Sequence, residues 1–137
     1  AAMHGSPPPE PAAHRNQSPA AAGLTDLLLL FCGRRLLMRV EGHSMEPALN
    51  PQDRVVVKRW TTEPSAPLGQ IVVALHPHMP DLLMIKRLRS CDASGFWLEG
   101  DNPGESTDSR QLGWIEPQHM VGVVVGVFPS QRSEEPS

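Results

Sequence analysis

Ser44 lies within Val40-Glu-Gly-His-Ser44-Met-Glu-Pro-Ala-Leu49, with Gly42 before it and Pro47 after it. Those two residues place the serine where an extended stretch turns, a position that presents a hydroxyl to its surroundings. Taken alone, such a serine is a turn residue; with a base beside it, it is a nucleophile. The hydrolase elbow Gly-x-Ser-x-Gly is not met, because Glu46 occupies its last position. His43 adjoins Ser44 and points away from it in an extended chain, so a serine–histidine–aspartate set would need its histidine from elsewhere.

A different base is offered by Lys86, one of two lysines among twelve Lys and Arg residues. In an extended Leu82–Arg89, alternation puts Leu82, Met84, Lys86 and Leu88 on one face. A lone lysine on an apolar face reads in two ways. At a sheet edge it guards against aggregation or snorkels to water. Buried, its ammonium form is disfavoured, its pKa falls, and it can take the proton of a serine hydroxyl.

The third segment is Glu99-Gly-Asp-Asn-Pro-Gly-Glu-Ser-Thr-Asp-Ser-Arg110. Gly100, Asp101, Asn102, Pro103 and Gly104 suit a tight turn, and Asp108 with Arg110 suits a charge-assisted clamp. The spacing misses the calcium-loop pattern, so the plain alternative is a polar loop.

Composition bounds what these residues can serve. At 137 residues the chain holds one domain, and its net charge of −3 gives no basic stripe for nucleic acid. Fifteen prolines and eleven glycines disfavour a helical bundle. Cys32 and Cys91 cannot make a disulfide scaffold or a zinc site by themselves. The longest apolar run, Leu27 to Cys32, is six residues where a membrane-spanning helix needs about 20. No basic region leads it as in a signal peptide. The expectation is a soluble or at most peripherally attached protein.

Residues 1–22, with five prolines and no periodicity, and residues 129–137 read as disordered ends around a domain at 23–128. Leu24–Leu37 carries apolar residues at helical spacing, with Thr25 or Asp26 as N-cap, and predicts a short N-terminal helix. Arg54–Trp60, Gln70–His76, Leu82–Arg89, Gly95–Glu99 and Val121–Phe128 then read as short strands, with a turn at Pro117–Met120 before the last. The predicted fold is mainly β, an antiparallel β-sandwich or partly open barrel.

In chain order, the three polar segments resemble the type I signal peptidase family of Ser/Lys endopeptidases. Ser44-Met45-Glu46-Pro47-Ala48-Leu49 is similar to that family's Ser-Met-x-Pro-Thr-Leu, and Lys86-Arg87 to its Lys-Arg pair. Gly100-Asp101-Asn102 with Ser106, Asp108, Ser109 and Arg110 matches its Gly-Asp-Asn-x-x-x-Ser-x-Asp-Ser-Arg. The resemblance covers Val40 to Val127 and implies a signal-peptidase-like fold. It implies Ser44 as nucleophile, Lys86 as general base, Ser106 orienting the lysine, Asp108 and Arg110 holding the loop, and the Ser44 N–H meeting the oxyanion. Asp101 and Asn102 belong to the same supporting loop. No cofactor or metal is implied. Three departures stand out: Gly42 where some members place a second oxyanion hydroxyl, Ala48 for Thr, and Gln52 for the Gly of Gly-Asp.

The compact layout around Gly69–Pro77 and Met84–Leu88 is similar to the nickel-type superoxide dismutase maturation proteases, small relatives that trim a leader from their precursor. This implies a cytoplasmic enzyme whose partner is a protein precursor with an N-terminal leader, the nickel superoxide dismutase precursor favoured. His76 and His78 bracket one proline without further ligands nearby and read as a loop rather than a nickel site. Met45, Leu82, Met84 and Trp97 are candidates for a substrate groove, or equally for core. The alternatives are a signal peptidase at a membrane surface, a self-cleaving repressor-type Ser/Lys protein and an inactive peptide-binding module. Residues 1–22 cannot form a helix-turn-helix, which counts against the repressor.

Overall fold

The computed structural model describes residues 35–130. Six strands account for most of it: β1 (Arg35–Arg39), β2 (Arg54–Arg59), β3 (Ile71–Leu75), β4 (Leu83–Asp92), β5 (Gly95–Glu99) and β6 (Met120–Phe128). Helical structure among these residues is one short helix, α1 (Ser109–Leu112), and 3-10 turns at Pro103–Glu105 and Pro117–His119. The strands form one antiparallel sheet in the order β1-β2-β6-β3-β4-β5, open at both ends.

Valine and isoleucine runs explain the centre of the sheet. In β3, Ile71, Val72, Val73 and Ala74 are all buried, which requires cover on both faces. One face joins Val55, Val57, Ile71 and Val73 to Met45 and Leu49 of the β1–β2 connection. The other joins Val72, Ala74, Met84 and Leu88 to Phe96, Leu98 and Ile115. Shifts of register at Val56/Val57, Val73/Ala74 and Leu88/Ser90 bend the strands, so a single sheet encloses two cores.

The mainly antiparallel β expectation holds, and each predicted strand is found within a few residues of its predicted bounds. The helical reading of Leu24–Leu37 fails from Arg35 onward, where the chain is β1. Arg35–Arg39 pairs residue for residue with Arg54–Lys58, and that pairing outweighs the local apolar spacing. The rest of that segment, the head at 1–22 and the tail from 131 lie outside the described residues. No helix among the described residues is long and apolar enough to cross a membrane.

The connection between β1 and β2 is closed by Val40 N–H to the Asp53 carbonyl (2.7 Å) and Gln52 N–H to the Val40 carbonyl (2.9 Å). The buried Asp53 carboxylate ties this closure to the segment after β6, accepting from Asn50 N–H (2.9 Å) and Ser130 N–H (2.8 Å). Gln52 adopts φ +77°, the left-handed region that favours glycine. The resemblance puts a glycine at this position, and the backbone geometry gives the reason. Gln52→Gly should therefore stabilise the fold by about 0.5–1 kcal/mol, read as a higher midpoint in thermal unfolding.

Candidate active site

Ser44 sits half-buried at the start of the turn inside that connection. The turn is pinned from below by Met45 and Leu49, both buried in the first core, and internally by Leu49 N–H to the Met45 carbonyl (2.9 Å). From the other side Asn102 holds it twice: its N–H donates to the Ser44 carbonyl (2.8 Å) and its side-chain amide to the His43 carbonyl (3.1 Å). The Ser44 N–H makes no hydrogen bond with another described residue. His43 turns to Glu46 (2.6 Å).

Lys86 comes from β4, opposite Val72 of β3, and is only 6% exposed. Its Nζ donates to Ser106 Oγ (3.2 Å), and Ser106 Oγ donates to Asp108 Oδ2 (2.6 Å). An ionised carboxylate only accepts, so the single Ser106 proton goes to Asp108 and Ser106 must accept from the lysine. Asp108, fully buried, also receives the Gly100 N–H (2.8 Å), the Arg110 N–H (3.0 Å) and the Arg110 guanidinium (Nε 3.0 Å; ion pair 2.6 Å). The same residue caps α1 in a reciprocal pair with Gln111.

The electrostatics follow from this packing. Burial pulls the Lys86 pKa below the ordinary lysine value; the Asp108 charge opposes the shift and the Arg110 charge assists it. Burial would push the Asp108 carboxyl up. Hydrogen bonds from Arg110, the Gly100 N–H and Ser106 outweigh it and hold the group below the usual carboxylate range.

Arg87 follows Lys86 and, by strand alternation, leaves the opposite face. There it forms a two-point pair with Asp101 (2.9 and 2.6 Å) and donates to the Gly69 carbonyl (2.8 Å). Gly100 has no room for a side chain: a Cβ would stand 2.7 Å from the Ser44 carbonyl oxygen and 2.7 Å from Ser106 Cβ. The third sequence segment thus meets the first through Gly100 and Asn102, and the second through the side chains of Ser106 and Asp101.

Ser44 and Lys86 line one open cleft of about 610 Å³, as do Met45, Leu82 and Met84. No hydrogen bond joins the two side chains, an arrangement that tightens in many enzymes only once substrate is bound. Trp97 is not in the cleft. It is buried edge-to-face against Trp114 (5.1 Å) and donates to Glu99 (2.9 Å). His76 lines the cleft, but its Nδ1 accepts the N–H groups of His78 (3.0 Å) and Met79 (3.1 Å), which makes it a brace for the β3–β4 hairpin. Among the described residues no cluster of three or more His, Cys, Asp or Glu is placed to hold a metal.

A family profile described as Peptidase S24-like matches residues 29–125, a span that contains all three segments. The chain belongs to the Peptidase S24-like family. Among curated proteins this peptidase is similar to mitochondrial inner membrane protease subunit 2 of Danio rerio, at 34% identity over 72% of this chain and 68% of the relative. The subunit 2 of Schizosaccharomyces pombe is 26% identical over 69% of this chain and 65% of the relative. That of Homo sapiens is 31% identical over 55% and 56%. The chain thus spans between about half and two thirds of the length of these relatives.

Two features of the S24-like site escape sequence reasoning. The Arg87–Asp101 pair joins two motifs whose spacing does not say they touch, although strand alternation at Lys86-Arg87 signals that the pair serves two faces. The close approach at Gly100 has no sequence signal beyond the glycine itself. Arg87 is buried, so Asp101→Ala removes the carboxylate that balances its charge and should destabilise the fold by about 3 kcal/mol. Replacing both, as Arg87→Met with Asp101→Leu, should recover most of that loss in urea unfolding.

Proposed function

We propose that this S24-like peptidase is a Ser/Lys endopeptidase that removes an N-terminal leader from a protein precursor. The observation that carries the reading is Lys86: a buried amine, deprived of ordinary charge stabilisation, lining the same cleft as Ser44. Neutral Lys86 accepts the Ser44 hydroxyl proton as Oγ attacks the substrate carbonyl. The Ser44 N–H, unclaimed by the described residues, receives the developing oxyanion. Protonated Lys86 then returns its proton to the leaving amine, and the ester breaks down when water attacks with Lys86 again as base. Ser106 keeps the amine aimed by accepting one N–H, and Asp108 and Arg110 keep Ser106 in that role.

Substrate placement follows from strand edges. β5 pairs with β4 only from Arg87 onward, so Leu83–Lys86 has one edge without a partner strand among the described residues. That edge and the Met38–Ser44 segment are the two walls of the cleft. An extended precursor laid between them pairs its main chain as an added strand, with Met45, Leu82 and Met84 beneath its side chains.

The compact layout that resembles nickel-type superoxide dismutase maturation proteases points to that precursor and a cytoplasmic enzyme. The relatives named as inner membrane protease subunits favour a second reading, a leader peptidase working beside a membrane surface. Incubating a nickel superoxide dismutase precursor and a secretory preprotein with wild type and Ser44→Ala, with intact-mass detection, decides between them. Leader loss that requires Ser44 is expected from one of the two; loss that persists in Ser44→Ala overturns the serine mechanism.

Lys86 carries two linked expectations. Activity should fall as pH drops and the amine gains its proton, along an acid limb below the ordinary lysine range because burial lowers that pKa. Arg110 contributes to the lowering, so Arg110→Gln should move the limb to higher pH. A depressed lysine pKa also opposes folding below the ordinary lysine value, since the unfolded chain binds the proton that the folded chain resists. Lys86→Met should therefore abolish cleavage and raise the thermal midpoint by about 2–5 °C. Retained activity in this variant, or a flat acid limb, sinks the lysine base.

A further inference from the structure

At the end of β1 the sheet places two like charges face to face. Arg39 and Arg54 are direct cross-strand partners, and both are exposed. Directly opposed like charges weaken a strand pair, and this chain, net negative overall, gains nothing in general basicity by keeping them. Neither guanidinium forms a hydrogen bond or ion pair with a described residue. The nearby carboxylate of Asp53 is buried and already accepts two backbone N–H groups.

The pair also has a place to act. Arg39 and Arg54 line a second hollow, of about 410 Å³, with Gln52, Phe128 and Ser130. Arg39 lines the cleft that holds Ser44 and Lys86 as well, so one residue borders both hollows. The acidic residues of the cleft, Glu41, Asp81 and Glu105, form no ion pair with Arg39.

Resting on the peptidase reading, we infer that Arg39 and Arg54 form a carboxylate-binding subsite that selects precursors bearing an acidic residue near the scissile bond. Two forked guanidinium groups on adjacent strands grip one carboxylate between them and relieve their own repulsion. Arg39 lies five residues before Ser44. At about 3.3 Å per extended residue, the acidic position falls within about five residues of the cleaved bond. The place of Arg39 on the border of both hollows favours the precursor over a lipid headgroup as the source of the carboxylate.

A random dodecapeptide library cleaved by wild type, with products sequenced by mass spectrometry, tests this. Asp and Glu should be enriched about fivefold at one position within that range. The enrichment should vanish in Arg39→Gln, weaken in Arg54→Gln and give way to Lys and Arg in Arg39→Glu. No acidic enrichment, or an enrichment unchanged in Arg39→Glu, overturns the inference. If no cleavage depends on Ser44, the peptidase reading fails separately. The subsite is then judged by titrating tetraglutamate and tetralysine into Ser44→Ala and following arginine Nε–H resonances, and a failure of tetraglutamate to move those of Arg39 and Arg54 refutes it. Binding to phosphatidylserine-containing vesicles that is lost in Arg39→Glu, with peptide preference unchanged, assigns the pair to a membrane instead and overturns it.

Discussion

The buried carboxylate of Asp108 is the point on which the arrangement around Ser44 and Lys86 hangs. It has no exposure to water, so every acceptor position must be filled from within. The donors that fill it come from separate parts of the loop: the Gly100 N–H, the Ser106 hydroxyl, and the Arg110 backbone and guanidinium. Gly100 touches the Ser44 carbonyl, and Ser106 holds Lys86. One desolvated charge therefore fixes the relation between the hydroxyl-bearing turn and the amine-bearing strand. Arg110 is needed so that the charge can be buried at all, and its own positive field reaches Lys86 in the direction that keeps the amine unprotonated.

The same packing divides the charges of the site into paired and unpaired ones. Arg87 and Asp101 satisfy each other on one face of β4, and Asp108 and Arg110 do so at its side. Lys86 is left with a neutral hydroxyl as its acceptor. Had a carboxylate stood at Ser106, the ammonium would be stabilised and the downward shift of the lysine opposed. The interposed hydroxyl passes on orientation while keeping the negative charge one bond length further away.

Much of this was legible in the sequence. Alternation placed Lys86 on an apolar face, and its burial follows from its register opposite Val72. The strands were legible because β2, β3 and β6 are built from valine runs bounded by turn residues. β1 was not: Arg35-Leu-Leu-Met-Arg39 has no β-branched residue and continues an apolar series at helical spacing. Only its pairing with β2, a contact between segments nearly twenty residues apart, makes it a strand. The groove candidates divided for a similar reason. Met84 and Leu82 share a face, but only tertiary packing tells that the cleft lies over them, and that Trp97 is occupied by Trp114.

An open sheet presents edges, and an exposed edge invites pairing with any extended chain. In this fold the edges are treated unequally. The outer edge of β5 is covered where Phe96 and Ile115 exchange N–H to carbonyl bonds at 2.8 and 2.7 Å. The first half of β4 is left without that cover because β5 begins its pairing only at Arg87. The break coincides with Lys86, the residue at which the sheet stops being scaffold and becomes the wall of the cleft. Under the proposed function, a peptide completing the missing strand at Leu83–Lys86 runs toward the amine and Ser44 along the register of the sheet. The register shift at Leu88/Ser90 and the turn at Gly100, which together set where β5 stops, are thus as much a part of the proposed catalysis as the side chains at that edge.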